Sequence, residues 1–262
     1  MHPFINFSHF FSIPSYNFFI AVGLVFGLIN LENEKKYIQE SERQKDTIKM
    51  IIVVSIIFGF IGAYVFDSIT QNKLYTMLSR PNEIGLTFWG GFILGLIVLI
   101  CISYYKRLNT FFLLNLLSPS FLISHFWGRL GCFFVGCCFG KETNAYTGII
   151  FPKNSIPYSN YHGLVSIHPT QLYEATGIFI LLVFLRKQKF NNRFFLYLIL
   201  YGILRFFIEF LRGDNRGSLF NQNILSPSQL ISMLMCCLII TLVFFIRRIP
   251  NNILLATEFN IN

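Results

Sequence analysis

"NRFFLYLILYGILRFFIEFLRGDNRG", residues 192–217, is an apolar run of membrane-spanning length that carries charge in its middle. Tyr201, Arg205, Glu209 and Arg212 follow one another at i, i+4, i+8 and i+11. At 100° per residue, a helix gathers them within an arc of about 80°. A charge at bilayer depth costs about 2.5 kcal/mol or more, so such a stripe faces a bundle interior and usually carries function. A blander reading is that Arg205 and Glu209 neutralise each other at i, i+4 and tie helices together. That leaves Tyr201 unexplained, and Arg212 too unless it snorkels to the outer surface.

The rest of the chain sets the solvent in which the stripe must be read. Of its 262 residues, 54% are hydrophobic, 18% aromatic and only 13% charged, against about 25% charged in a soluble domain. Apolar runs close to the roughly 20 residues that cross a bilayer recur at about 11–30, 48–69, 84–104, 111–127, 171–185, 194–211 and 228–246. The expectation is an all-α integral membrane protein, a bundle of about seven transmembrane helices in one polytopic domain over residues 1–262. The first run lacks a basic start and a small-residue cleavage site, so it reads as a retained helix rather than a signal peptide.

Orientation follows from the basic residues. "NLENEKKYIQESERQKDTIK" (30–49), "YYKRLNT" (104–110), "RKQKFNNR" (186–193) and "RR" (247–248) follow the first, third, fifth and seventh runs. By the positive-inside rule they face the cytoplasm, so the N-terminus lies outside and the C-terminus inside. The net charge of +9 is thereby accounted for without nucleic acid. The longest outward segment, 128 to about 168, is rich in turn residues. Irregular backbone at membrane depth is tolerated where protein buries it or where it lines a wet cavity, so an outward-facing, lipid-accessible cavity is expected there.

Further polar residues cluster on that side. "SIHPTQLYEATG" (166–177) opens the fifth run, with Pro169 suited to a first helical turn, Gln171 and Glu174 on one face, and His168 and Tyr173 nearby. "GLTFWGGFILG" (85–95) offers Gly90 and Gly91 for close approach of a helix or of a ligand. Asn115 and His125 read as satisfied interior groups. In "GRLGCFFVGCCFGK" (128–141), Arg129 stands beside glycines and cysteines at an outer helix end, where a guanidinium can grip an anionic oxygen bidentately. A phospholipid phosphate is the abundant anion at that depth.

These motifs together resemble the phosphatidylglycerol–prolipoprotein diacylglyceryl transferases, bacterial enzymes of the inner membrane. "GRLGCFFVGCCFG" resembles their signature Gly-Arg-x-Gly-Asn-Phe-x-Asn-Gly-Glu. "HPTQLYEA" is similar to His-Pro-Ser-Gln-Leu-Tyr-Glu, "YGILRFFIEFLRGD" to Tyr-Gly-x-x-Arg-Phe-x-Ile-Glu-Phe-x-Arg, and "FWGGFILG" to His-Gly-Gly. "IPSYNFF" and "TGIIFP" match in order, so the similarity spans about residues 13–246. Trp89 stands where the family has histidine, and Cys132 and Cys137 stand where it has asparagine and glutamate.

The resemblance implies transfer of the diacylglyceryl group from phosphatidylglycerol to the lipobox cysteine of a prolipoprotein, forming a thioether. Carried over, Arg129 and Arg205 hold the leaving phosphate, Glu209 orients Arg205, and Tyr16, Gly90, Gly91, Gln171, Tyr173, Glu174 and Tyr201 line the substrate site. The proton acceptor is open among His168, His162 and Glu174, with His168 preferred because histidine is the residue type best matched to proton transfer at neutral pH. No cofactor and no metal are expected: C-x4-C-C lacks a second ligand pair, and Cys132, Cys137 and Cys138 read as small apolar fillers. The alternatives are a paralogue with thiol- or acyl-handling chemistry at those cysteines, or a membrane transporter.

Overall fold

The computed structural model describes residues 4–8, 11–70, 75, 88–153 and 155–214, together with scattered positions between 226 and 241. In chain order they form β1 (Phe4–Ser8), β2 (Phe11–Pro14), α1 (Ser15–Glu32), α2 (Lys35–Ile38), α3 (Glu42–Thr70), α4 (Phe88–Tyr105) and α5 (Thr110–Val135). Then come β3 (Ile149–Ile150), α6 (Ile156–Tyr161), β4 (Ser166–Ile167), α7 (Thr170–Arg186), a 3-10 turn at Phe190–Asn192 and α8 (Arg193–Phe210). Two compact units result, one of residues 1–34 and 115–262, the other of residues 35–114.

Among the described residues, three helices are long and apolar enough to cross a membrane: Ser15–Glu32, Glu42–Ile69 and Thr110–Val135. Gly90–Tyr105 is a shorter apolar helix. α8 has the length, but Arg193, Arg205 and Glu209 lower its apolarity. The first six expected runs each coincide with a helix. Most of the seventh, 228–246, lies outside the described residues, although nine positions between 229 and 241 are helical.

Of the boundaries that differ from the sequence reading, two shape the site. The first helix starts at Ser15 rather than at residue 11, because Phe11–Pro14 pairs antiparallel with Phe4–Ser8 as a short hairpin. The fourth continues to Val135 rather than ending near residue 127, so Arg129 and Cys132 are helical and the irregular segment begins at Gly136. Gly131 permits this by seating the helix against Tyr16 and Phe19 of α1, where a Cβ would sit 3.1 Å from Phe19 Cβ.

In the unit of residues 35–114, α3 and α4 meet through small residues. A Cβ on Gly90 would lie 2.5 Å from the Gly62 carbonyl, and one on Gly91 would lie 2.9 Å from that of Gly59. Gly90 and Gly91 therefore act as a helix-packing seam of the small-xxx-small kind.

In the other unit, α1 lies on α5, with Ser124 Oγ donating to the Gly23 carbonyl at 2.9 Å and Asn30 Nδ2 to Ser120 Oγ at 3.0 Å. α7 and α8 pack against α5 around Leu122, Ile178, Leu182, Leu185, Tyr197 and Tyr201. α5 closes at Gly136, whose φ of 82° suits glycine. Its N–H and that of Cys137 both reach the Cys132 carbonyl, at 2.9 and 3.1 Å.

The segment after Gly136 is stitched to the far end of α8. Lys141 N–H donates to the Leu211 carbonyl at 2.8 Å, Gly213 N–H to Phe139 at 3.0 Å, and Gly140 N–H to His168 at 3.0 Å. Tyr161 Oη adds a bond to the Gly140 carbonyl at 3.0 Å. A Cβ on Gly140 would meet the His168 carbonyl at 2.4 Å and that of Leu211 at 2.8 Å, both fixed backbone. Gly140→Ala is expected to destabilise the protein by about 1–3 kcal/mol through overpacking, read as a lower thermal midpoint in detergent. An unchanged midpoint would mean that this junction is loose.

Candidate functional site

Three of the helices described above contribute to one buried charge network, and a fourth packs beside it. The periodicity of α8 turns Tyr201, Arg205 and Glu209 inward together; Arg212, two residues past the helix end at Phe210, joins them, and all four are buried. α7 adds Gln171 and Glu174, one turn apart and both buried. α5 adds Arg129, and α1 brings Tyr16 against Gly131, two residues further along α5.

Glu174 is the hub. Its Oε1 accepts from Arg129 Nη2 at 2.9 Å and from Tyr201 Oη at 2.8 Å, while its Oε2 faces Arg205 Nη1 at 3.7 Å. Arg205 Nη2 then reaches Glu209 Oε2 at 2.6 Å, and Arg212 Nε lies 3.8 Å from the same oxygen. Ser226 Oγ donates to Glu209 Oε1 at 2.8 Å.

The i, i+4 pairing of Arg205 with Glu209 is real, but it is one link of a chain rather than the whole arrangement. Arg212 does not snorkel. It is buried and forms a two-pronged pair with Asp214, at 2.8 and 2.6 Å. Burial opposes its charge, but that pairing holds its pKa above the usual value.

His168 and Tyr173 meet elsewhere. His168 Nδ1 lies 3.2 Å from Tyr173 Oη, which also bonds Thr147 Oγ1 at 2.6 Å, making a half-open polar cluster on the irregular segment. Gln171 Nε2 holds the Cys137 carbonyl at 2.6 Å, and Thr170 Oγ1 holds that of Cys138 at 2.7 Å. His162 is exposed and closes α6 in a left-handed conformation. Gly90 and Gly91 belong to the other unit, and the side chain of Trp89 is outside the described residues.

His125, which the sequence marks as a satisfied interior group, is buried, with its Nε2 3.4 Å from Tyr201 Oη. Its place four residues before Arg129, on the same face of α5, is the signal that ties it to the site. Thr170, Thr147 and Asp214 were missed: the first two pair across the chain, with Cys138 and Tyr173, and Asp214 pairs locally with Arg212.

The three cysteines converge. The sulfurs of Cys132, Cys137 and Cys138 all lie within 4.8 Å of one another. Cys138 takes φ 60°, unusual for a residue other than glycine. Hydrogen bonds from the other two thiols hold the Cys138 thiol well below its ordinary pKa, with Arg212 and Arg129 adding to the effect against burial.

These features define a class: helical membrane proteins whose interior holds arginines on shared carboxylates at the end of a bundle. The chain belongs to the prolipoprotein diacylglyceryl transferase family, which it matches over residues 4–245. It is 35% identical to the phosphatidylglycerol–prolipoprotein diacylglyceryl transferase of Clostridium tetani over 231 residues, covering 84% of this chain and 88% of that one. Identity to the Clostridium perfringens protein called phosphatidylglycerol–prolipoprotein diacylglyceryl transferase 2 is 32%, covering 84% and 86%. The Staphylococcus aureus strain Newman transferase is 34% identical over 252 residues, covering 92% and 87%.

Removing one partner of a buried ion pair leaves an uncompensated charge, at a cost of about 3–5 kcal/mol. Glu174→Ala is expected to lose stability on that scale by denaturant or thermal unfolding, whereas Glu42→Ala at an exposed pair should be neutral. Equal, small effects at both positions would remove Glu174 from the hub.

Proposed function

We propose that this protein transfers the diacylglyceryl group of phosphatidylglycerol to the sulfur of a prolipoprotein lipobox cysteine. Family membership supports the reaction, and the observation that carries it to particular residues is the shared carboxylate. Glu174 aims Arg129 and Arg205 at one region of the bundle interior. A guanidinium has five N–H donors and a carboxylate about four acceptor sites, so two arginines on one carboxylate have donors to spare for an anionic oxygen.

The reaction breaks the bond between the glyceryl carbon and a phosphate oxygen, and negative charge grows on that oxygen as glycerol phosphate leaves. Arginines already oriented in a low-dielectric site stabilise this charge without reorganising. Glu209 and Arg212 keep Arg205 in place from one side, and Tyr201 keeps Glu174 in place from the other. Tyr16, Gln171 and Tyr173 line the approach of the headgroup and the peptide.

The attacking thiol must lose its proton. We assign the acceptor role to His168, which is half-buried, outward on the sequence reading, and bonded to Tyr173. The architecture that suits these substrates is one seven-span domain in the bacterial plasma membrane, with the N-terminus outside, the C-terminus in the cytoplasm, and the segment after Gly136 on the outer face.

Purified protein incubated with phosphatidylglycerol and a lipobox peptide should add a diacylglyceryl mass to the peptide cysteine. Arg129→Ala should lower the rate by about 10²–10³, the usual loss for a charge-stabilising donor, and Arg129→Lys should recover it only partly. No mass gain by the wild type, under conditions where the Clostridium tetani relative works, would overturn the reading. His168→Ala should slow transfer at pH 7 and recover as pH rises past the free thiol pKa of about 8.5. A loss that does not vary with pH would assign His168 a structural role instead.

A further inference from the structure

The sulfur cluster lies one helical turn from Arg129, since Arg129 and Cys132 are neighbours at i, i+3 on α5. We propose that Cys132, Cys137 and Cys138 hold a zinc ion, and that its open fourth position takes the thiol of the lipoprotein substrate. This rests on the transferase reading for the identity of that thiol, while the metal site itself rests on geometry alone.

Zinc–thiolate bonds of about 2.3 Å place three sulfurs about 3.8–4.0 Å apart. Separations of up to 4.8 Å therefore close onto an ion with side-chain shifts of under about one ångström. A disulfide asks far more: sulfurs about 2.05 Å apart at a fixed dihedral, which adjacent Cys137 and Cys138 reach only with strain.

The cluster is also built, not incidental. Gly136 reverses the chain at the end of α5, so that Cys137 and Cys138 fold back towards Cys132. Gln171 and Thr170, both buried in the first turn of α7, pin the carbonyls of Cys137 and Cys138. Cys138 is held at φ 60°, a conformation that costs about 1–2 kcal/mol and that points to function where the surroundings impose it. Arg212 lies close to the Cys138 side chain. With Arg129 it offsets the net negative charge that three thiolates would leave on a divalent ion.

Three protein ligands with one open position is the pattern of a catalytic zinc site, and a thiol that coordinates such an ion is deprotonated outright. On binding, the lipobox thiol would give its proton to His168, which passes it on to water. Its electron pair then forms the carbon–sulfur bond at the glyceryl carbon as the carbon–oxygen bond to phosphate breaks. The leaving pair departs with glycerol phosphate, and no oxidant or reductant is needed. The product thioether is uncharged and a weaker ligand, so it leaves while the three thiolates keep the ion.

The test uses the whole protein in detergent, stripped of metal and titrated with cobalt(II) as a spectroscopic stand-in for zinc. One ion per chain should bind with a sulfur-to-cobalt charge-transfer band. That band should strengthen when a lipobox peptide is added, and not when its cysteine is replaced by serine. Cys132→Ser and Cys138→Ser should each weaken binding by about tenfold or more. In the transfer assay the zinc-loaded enzyme should vary little between pH 7 and 9. After chelation the remaining rate should rise about twentyfold over that range, following a free thiol of pKa about 8.5.

Failure to bind zinc or cobalt at micromolar concentration overturns the proposal, as does a bound ion whose spectrum ignores the peptide, or a transfer rate indifferent to chelation. A spectrum that responds to the peptide in an enzyme showing no transfer at all supports the thiol site and sinks the diacylglyceryl transfer instead. The wild-type spectra need no variant to fold, so a misfolded serine variant would not blur the outcome.

Discussion

The rest of the site depends on a single carboxylate, Glu174, shared by two arginines inside an apolar bundle. In water such an ion pair would matter little. Removed from water it cannot be broken without stranding a charge, and this fixes how α5, α7 and α8 present their polar faces to one another. Arg129 comes from α5, Glu174 from α7, and Tyr201 and Arg205 from α8. The arginines are therefore held ready, with their orientation set before any substrate arrives.

The backbone after Gly136 builds on that frame. It leaves α5 through a glycine, is pinned to the start of α7 by Gln171 and Thr170, and is stitched to the end of α8 at Leu211 and Gly213. Its irregular carbonyls are thereby satisfied, which the interior of a membrane protein demands. The same stitching draws three thiols to within 4.8 Å of one another, beside two arginines. Fold and chemistry thus share one set of hydrogen bonds, so mutations at Gln171 or Thr170 disturb both.

Much of this was legible in the chain, for definite reasons. Helical periodicity alone was enough to put Tyr201, Arg205 and Glu209 on one face, and Gln171 with Glu174 on another, because each set lies within a single regular element; Arg212 joins the first set from just past the end of α8. Two of the motifs that carry the family resemblance, those around Glu174 and Arg205, lie in those same elements. Contacts between elements were not legible. Nothing in the spacing of His125 announces Tyr201, which lies 76 residues away. The C-x4-C-C spacing looked unsuited to a metal because its convergence depends on a turn at Gly136 and a left-handed Cys138. Gly90 and Gly91 suited either a helix or a ligand, and the backbone of α3 fills the space beside them. The helix boundaries at Ser15 and Val135 shifted for local reasons, a hairpin in one case and tolerated glycines in the other.

The central claim is that Arg129 and Arg205, aimed by Glu174, hold the phosphate of an anionic lipid. Native mass spectrometry of the detergent-solubilised protein, equilibrated with phosphatidylglycerol and a diacylglycerol of the same chains, tests it directly. The account predicts that phosphatidylglycerol is retained at least about tenfold better, a difference of about 1.4 kcal/mol, and that Arg129→Ala abolishes the preference. Equal retention of the two lipids by the wild type, or an unchanged preference in the variant, would contradict it.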